Sequence, residues 1–160
     1  MSVIRDIYAN LAAQSVTFTT EAGPSVTVNA RDLSTLLNAV NAADAPIRLI
    51  LPYSIGTELT NGHWLTPANR IQVDWSINDL MLWKPGQLGS GIAEVAGDLV
   101  RYQGAYAEMI RGMVRMGIPT HQVKLIEWRM KPGVFDWPIG SRTYWQGVMV
   151  FLKVTEVLDT

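Results

Sequence analysis

Between Ile71 and Asn78 apolar and polar residues alternate without a break: Ile71, Val73, Trp75 and Ile77 against Gln72, Asp74, Ser76 and Asn78. A period of two is the mark of a strand with one face buried and the other in water. Leu80-Met81-Leu82-Trp83 carries this strand on to Lys84-Pro85-Gly86, where proline and glycine end it. A second long strand is predicted over 143–158. Its Val148, Val150, Leu152 and Val154 share one face, and Met149 and Phe151 on the other predict a middle buried from both sides. Residues 123–130 add a third strand, closed by a Lys131-Pro132-Gly133 turn. Such strands, joined by turns rather than by regular helical crossovers, make a mainly antiparallel sheet.

The rest of the chain supplies helices and smaller strands. Ser2 is placed to cap a helix ending near Gln14, with Val3, Ile4, Ile7 and Leu11 on its apolar face. Residues 16–20 and 26–28 read as two short strands about a Glu21-Ala22-Gly23-Pro24 turn. A second helix, capped by Asn29 or Asp32 and carrying Leu33, Leu36, Leu37 and Val40, should end at Asp44-Ala45-Pro46. Residues 47–51 form a buried strand. Residues 53–69 are the least regular, a projecting loop or a hairpin turning at Asn61-Gly62. The longest helix is predicted over about 91–116, with Ser90 as its cap. Its apolar stripe is Ile92, Val95, Leu99, Tyr102, Tyr106, Met109, Met113 and Met116. The fold class is therefore α+β, one domain over 1–160, with helices packed on one face of the sheet.

Function is constrained mostly by what the chain lacks. Charged residues make up 17% of it, against about 25% in an ordinary soluble domain. With six Trp and seven Met, this predicts apolar surface that neighbouring subunits cover. Trp64, Trp137 and Trp145 are the candidate anchors, and Arg101, Arg111 and Arg115 on the polar side of the long helix are candidate rim contacts. Packing within the chain is the ordinary fate of a tryptophan, and solvation that of such arginines. The net charge of −1 argues against tight nucleic-acid binding. The polar strand face Gln72, Asp74, Ser76 and Asn78 either meets solvent or lines a channel along which DNA passes without being held.

No catalytic pattern stands out. The loop Gly86-Gln87-Leu88-Gly89-Ser90-Gly91 departs from the dinucleotide order, and no Gly-Lys-Ser/Thr follows it. His63 and His121 belong to no metal motif, there is no cysteine, and no Gly-x-Ser-x-Gly elbow occurs. Asp74 and Asp79 should lie on opposite strand faces. No enzyme activity, cofactor or metal is expected. No signal-peptide layout opens the sequence and no apolar run is long enough for a membrane helix, so no membrane partner is expected.

Three segments resemble the tail-terminator proteins of long-tailed bacteriophages. They are Val73-Asp74-Trp75-Ser76-Ile77-Asn78-Asp79-Leu80-Met81-Leu82-Trp83, then Asp98-Leu99-Val100-Arg101-Tyr102-Gln103-Gly104-Ala105-Tyr106, and the closing run from Tyr144-Trp145-Gln146-Gly147-Val148 to Glu156. The likeness covers about 70–158. It implies a virion protein made in the bacterial host cytoplasm, whose hexameric ring caps the tail tube and stops its polymerisation. The implied partners are further copies, the tail tube protein, the head–tail connector protein, and genomic DNA passing through the lumen. A head-completion or stopper protein is the neighbouring alternative. A small enzyme or ligand-binding domain using 53–69 and the glycine loop is the alternative of another class.

Overall fold

A computed structural model describes residues 1–31, 38–51, 60–65, 69–87, 89–119 and 122–159. In chain order the elements are α1 (Ile4–Ala12), β1 (Val16–Thr19), β2 (Ser25–Val28), β3 (Ala30–Arg31), β4 (Ile47–Leu51), β5 (Asn61–Leu65), β6 (Arg70–Pro85), α2 (Ala96–Arg111), β7 (Val123–Asp136) and β8 (Tyr144–Leu158). The protein is a mixed α+β fold with a mainly antiparallel sheet ordered β3-β4-β6-β8-β7. β3 and β4 run parallel and the other pairs antiparallel. β8 pairs along almost the whole of β6, so β4 and β5 share the opposite edge of β6, one at each end. β1 and β2 make a separate ribbon.

The pleat of β6 sorts its residues between two cores. Ile77, Met81 and Trp83, with Val148, Val150, Leu152 and Val154 of β8, share one core with α1, α2 and the β1–β2 ribbon. Leu80 and Leu82 point the other way and pack with Ile47, Leu49 and Leu51 of β4, and with Trp137, Trp145 and Met149. The middle of β8 is accordingly buried on both faces. Gly147 lets β6 and β8 come together: a Cβ there would run into the Met81 carbonyl oxygen. The ladder shifts register beside it, between Leu82 and Lys84.

Several boundaries differ from the sequence reading. The long helix is shorter than 91–116. Gly91 is left-handed at φ 67°, a 3₁₀ turn over Ala93–Val95 leads into α2, and the helix closes at Arg111. Ser90 closes its own turn with Gln87 rather than capping α2. Met113 and Met116 still reach the helical core from the turns that follow. Lys131-Pro132-Gly133 is not a turn. β7 runs through it to Asp136, because proline is tolerated on an edge strand. The reversal comes later, where Asp136 accepts hydrogen bonds from Gly140 N (2.8 Å), Ser141 Oγ (3.0 Å) and Thr143 N (3.1 Å). Asn61-Gly62 also sits inside a strand, β5, paired with Asp74 and Val73. Most of the predicted second helix, with Leu33, Leu36 and Leu37, lies outside the described residues, as does His121. Residues 38–44 are bends and turns.

Candidate functional site

β6 and β8 run on past the last residues that α1 and α2 cover. On the helix side of this overhang, Trp64 of β5, Ile71 of β6 and Leu158 of β8 stand in one row across three strands. Trp64 is 70% exposed, and Ile71, Val73 and Leu158 are half-buried. The covered part of the sheet stops at Glu156. This buried carboxylate accepts hydrogen bonds from Val3 N (2.7 Å), Ser2 Oγ (2.9 Å) and Trp75 Nε1 (2.8 Å), fixing the start of α1 to β8. A helix of nine residues is marginal alone, and a carboxylate at its N-terminus complements the helix dipole.

The two outer edges of the sheet differ in chemistry. β5 carries no formal charge, with Asn61, Gly62, His63 and Trp64 all exposed. Among the described residues no strand pairs with its outer side. β7, on the opposite edge, carries Lys124, Glu127, Arg129 and Lys131, then Pro132, and is interrupted by a bulge at Ile126. Ile126 is 47% and Trp128 40% exposed.

The proposed channel-lining residues do not share one environment. Gln72 and Asp74 are half-exposed, and Asp74 accepts hydrogen bonds from Thr155 Oγ1 (2.7 Å) and Gln72 Nε2 (3.1 Å). Ser76 and Asn78 are buried, Asn78 to 1%. Asn78 stands between Leu51 of β4 and Phe151 of β8, at the margin of the second core. The expected wall of neutral and acidic groups is also of mixed sign. Lys153 is the register partner of Ser76, and Lys124, Glu127, Arg129 and Lys131 continue the same face on β7. Glu127 pairs with both Arg129 (3.4 Å) and Lys153 (4.0 Å).

The candidate interface residues separate in the same way. Trp64 is open to a partner. Trp137 and Trp145 are 4% and 2% exposed in the second core, so they anchor that core and present no surface to a subunit. Arg101 pairs with Glu21 of the β1–β2 turn at 3.0 Å, and Arg111 pairs with Glu108 at 3.1 Å. Arg115 donates to the Pro119 carbonyl oxygen. These arginines belong to α2 and its following turn, and they form no common patch with the tryptophans.

The fold also assembles a buried charge cluster that no sequence motif marks. Arg48 of β4 and Asp79 of β6 are both fully buried, joined at 2.5 Å and by two further hydrogen bonds of 3.2 Å from Nε. Tyr106 Oη of α2 donates to Asp79 at 2.7 Å. Arg48 also donates to the carbonyl oxygens of Gln14 (2.5 Å) and Leu11 (3.5 Å) at the end of α1. Burial pulls the guanidinium down, but the Asp79 charge, with smaller help from the two tyrosines, outweighs it and holds Arg48 above its ordinary range. Burial pushes Tyr102 and Tyr106 well up, and Asp79 adds to this against the opposing pull of Arg48. The available signal was a charge set within apolar runs: Arg48 in 47–51 and Asp79 in 77–83. Asp74 and Asp79 lie on opposite faces of β6, as their spacing predicts.

Among the described residues no three His, Asp or Glu side chains cluster as metal ligands, and no helix is long and apolar enough to cross a membrane. An open groove of about 590 Å³ is lined by Val114, Arg115, Gln122, Val123, Lys124, Thr155 and Val157. Compared with known proteins, the chain matches no family model, no curated protein and no solved structure.

Proposed function

We propose that this chain is a structural virion subunit of the tail-terminator kind, whose ring caps the tail tube, stops its growth and joins it to the head connector. The observation that carries the proposal is the apolar row Trp64–Ile71–Leu158 beyond the helices, with Trp64 70% exposed and Ile71 and Leu158 half-buried. A chain with few charges that leaves such a surface open has a partner for it. The resemblance of 73–83, 98–106 and 144–156 to tail terminators names the kind of assembly. In this reading α1 and α2 pack on one face of the sheet and leave its edges to neighbouring copies. In this proposal the half-exposed Gln72–Asp74 end of the second face looks toward the lumen and its DNA.

Native mass spectrometry across a dilution series tests the proposal, together with electron microscopy of tails assembled with and without the protein. A ring-sized species, and tubes that overgrow when the protein is omitted, are expected. A monomer at every concentration, with tails of unchanged length, would overturn it. A ring at the portal side of isolated heads but absent from tails would move the assignment to a head-completion protein.

A further inference from the structure

We infer that the outer edge of β5 receives the outer edge of β7 from a second copy, so that one sheet continues from subunit to subunit. The inference rests on the ring proposal for the number of copies, and on the geometry of this chain for the contact itself.

The two edges lie on opposite sides of one sheet, and each exposes a tryptophan on the same face. Trp64 is in register with Ile71 and Trp128 with Leu152. Ile71 and Leu152 both belong to the helix-side face of the ladder. Adding a strand to a sheet preserves its faces. β7 of one copy laid against β5 of the next therefore brings Trp128 to the side of Trp64. Cross-strand aromatic pairs of this kind stabilise a ladder.

Charge decides between the possible pairings. Over 123–136 β7 carries Lys124, Arg129 and Lys131 against Glu127 and Asp136, an excess of one positive charge (3 − 2), and two of its lysines flank the stretch that would pair. With Pro132 and the Ile126 bulge, these are the devices that keep like edges apart. β5 has none of them: no charge, no proline and no register shift over Asn61–Leu65. It accepts a charged edge without placing like charges opposite each other. Leu125, at the start of β7, is already engaged, its N–H bonded to the Val114 carbonyl oxygen, so the pairing stretch lies beyond it. A contact between unlike edges is heterologous, and repeats until it closes into a ring.

The chain has no cysteine, which makes disulfide trapping specific. His63→Cys on β5 is combined in turn with Glu127→Cys, Arg129→Cys and Lys131→Cys on β7, all on one sheet face. Mild oxidation of at least one double variant should give a ladder of linked copies ending at the ring, with each single variant remaining unlinked. Trp64→Ser should raise the dissociation constant at least about tenfold with no change in the unfolding midpoint of the dissociated monomer, because Trp64 is exposed within one chain. A linked dimer from His63→Cys alone would overturn the inference in favour of β5 pairing with itself. Oligomers by native mass without any ladder, and with Trp64→Ser silent, would overturn it while leaving the ring proposal standing. A monomer throughout would defeat both.

Discussion

Among the described glycines, Gly147 is the one where an added Cβ has least room, since the obstructing group is the Met81 backbone rather than a flexible side chain. Gly147→Ala must push β6 and β8 apart at their bulge, and a loss of about 3 kcal/mol in urea unfolding is expected. Gly104 makes the contrast. It lies exposed in α2, with nothing within 4 Å of where a Cβ would stand, so Gly104→Ala should gain about 0.5–1 kcal/mol. The buried ion pair behaves differently again. Asp79→Asn leaves Arg48 charged and uncompensated, for a loss of about 3–5 kcal/mol, whereas replacing both by Met and Leu should recover most of it. Tyr106→Phe removes one donor from Asp79 and should cost about 1–2 kcal/mol. Tyr102 Oη has no hydrogen-bond partner among the described residues, so Tyr102→Phe should be close to neutral. Tyr8, Tyr102 and Tyr106 are all raised by burial, Tyr8 up to about 12. Raised groups stabilise the fold below their unfolded value of about 10, and that stability is lost as pH climbs through the folded values. Urea midpoints should therefore be flat up to about pH 10 and fall above it. Tyr102→Phe should make that fall shallower.

At the scale of elements, α1 is held at both ends by buried side chains of the sheet. Glu156 takes the amide of Val3 at its start, and Arg48 takes the carbonyls of Leu11 and Gln14 at its close. Both charges have the sign that the helix dipole favours at their end. Glu156→Gln keeps the shape and removes the charge. Faster hydrogen exchange is expected at the first amides of α1, with those of α2 unchanged; equal acceleration in both helices would mean that the whole layer loosens together. The β1–β2 ribbon is tied to α2 in a comparable way, through Asp98 to Glu21 N at 2.7 Å and Arg101 to the Glu21 carboxylate. The last pair is exposed and contributes little by itself.

For the whole molecule, the second sheet face decides how a lumen would treat DNA. Ser76 is buried beside Lys153, so a lysine introduced there would test packing rather than passage. Asp74 is half-exposed, and Asp74→Lys adds positive charge at a point that each copy in a ring repeats. If this face lines the lumen, particles built with Asp74→Lys should eject DNA more slowly at low salt and recover as salt rises, because counterion release drives lysine–phosphate contacts. Ejection that is normal at both salt concentrations would turn this face toward solvent or a neighbouring subunit. The Asp74 contacts with Thr155 and Gln72 would be lost, so the unfolding midpoint should be measured alongside.

The two long strands, the split of their apolar residues between two faces, α1, the β1–β2 ribbon and the existence of a long helix are all legible in the order of the residues. Each is a local pattern of period two or 3.6, and such patterns report which side of an element avoids water. How far along an element that burial extends depends on the neighbours that the fold brings to it. Asn78 continues the same alternation as Gln72, yet the first is buried and the second half-exposed. Trp64, Trp137 and Trp145 are equivalent as letters, and it took the fold to put one on an open edge and two in a core. Pro132 reads as a turn in one dimension, and its place on an edge strand removes the reason for one. Arg48 and Asp79 stand 31 residues apart, and no periodicity links them. Their pairing, like the match between the edges of β5 and β7, exists only once the strands between them have taken their order in the sheet.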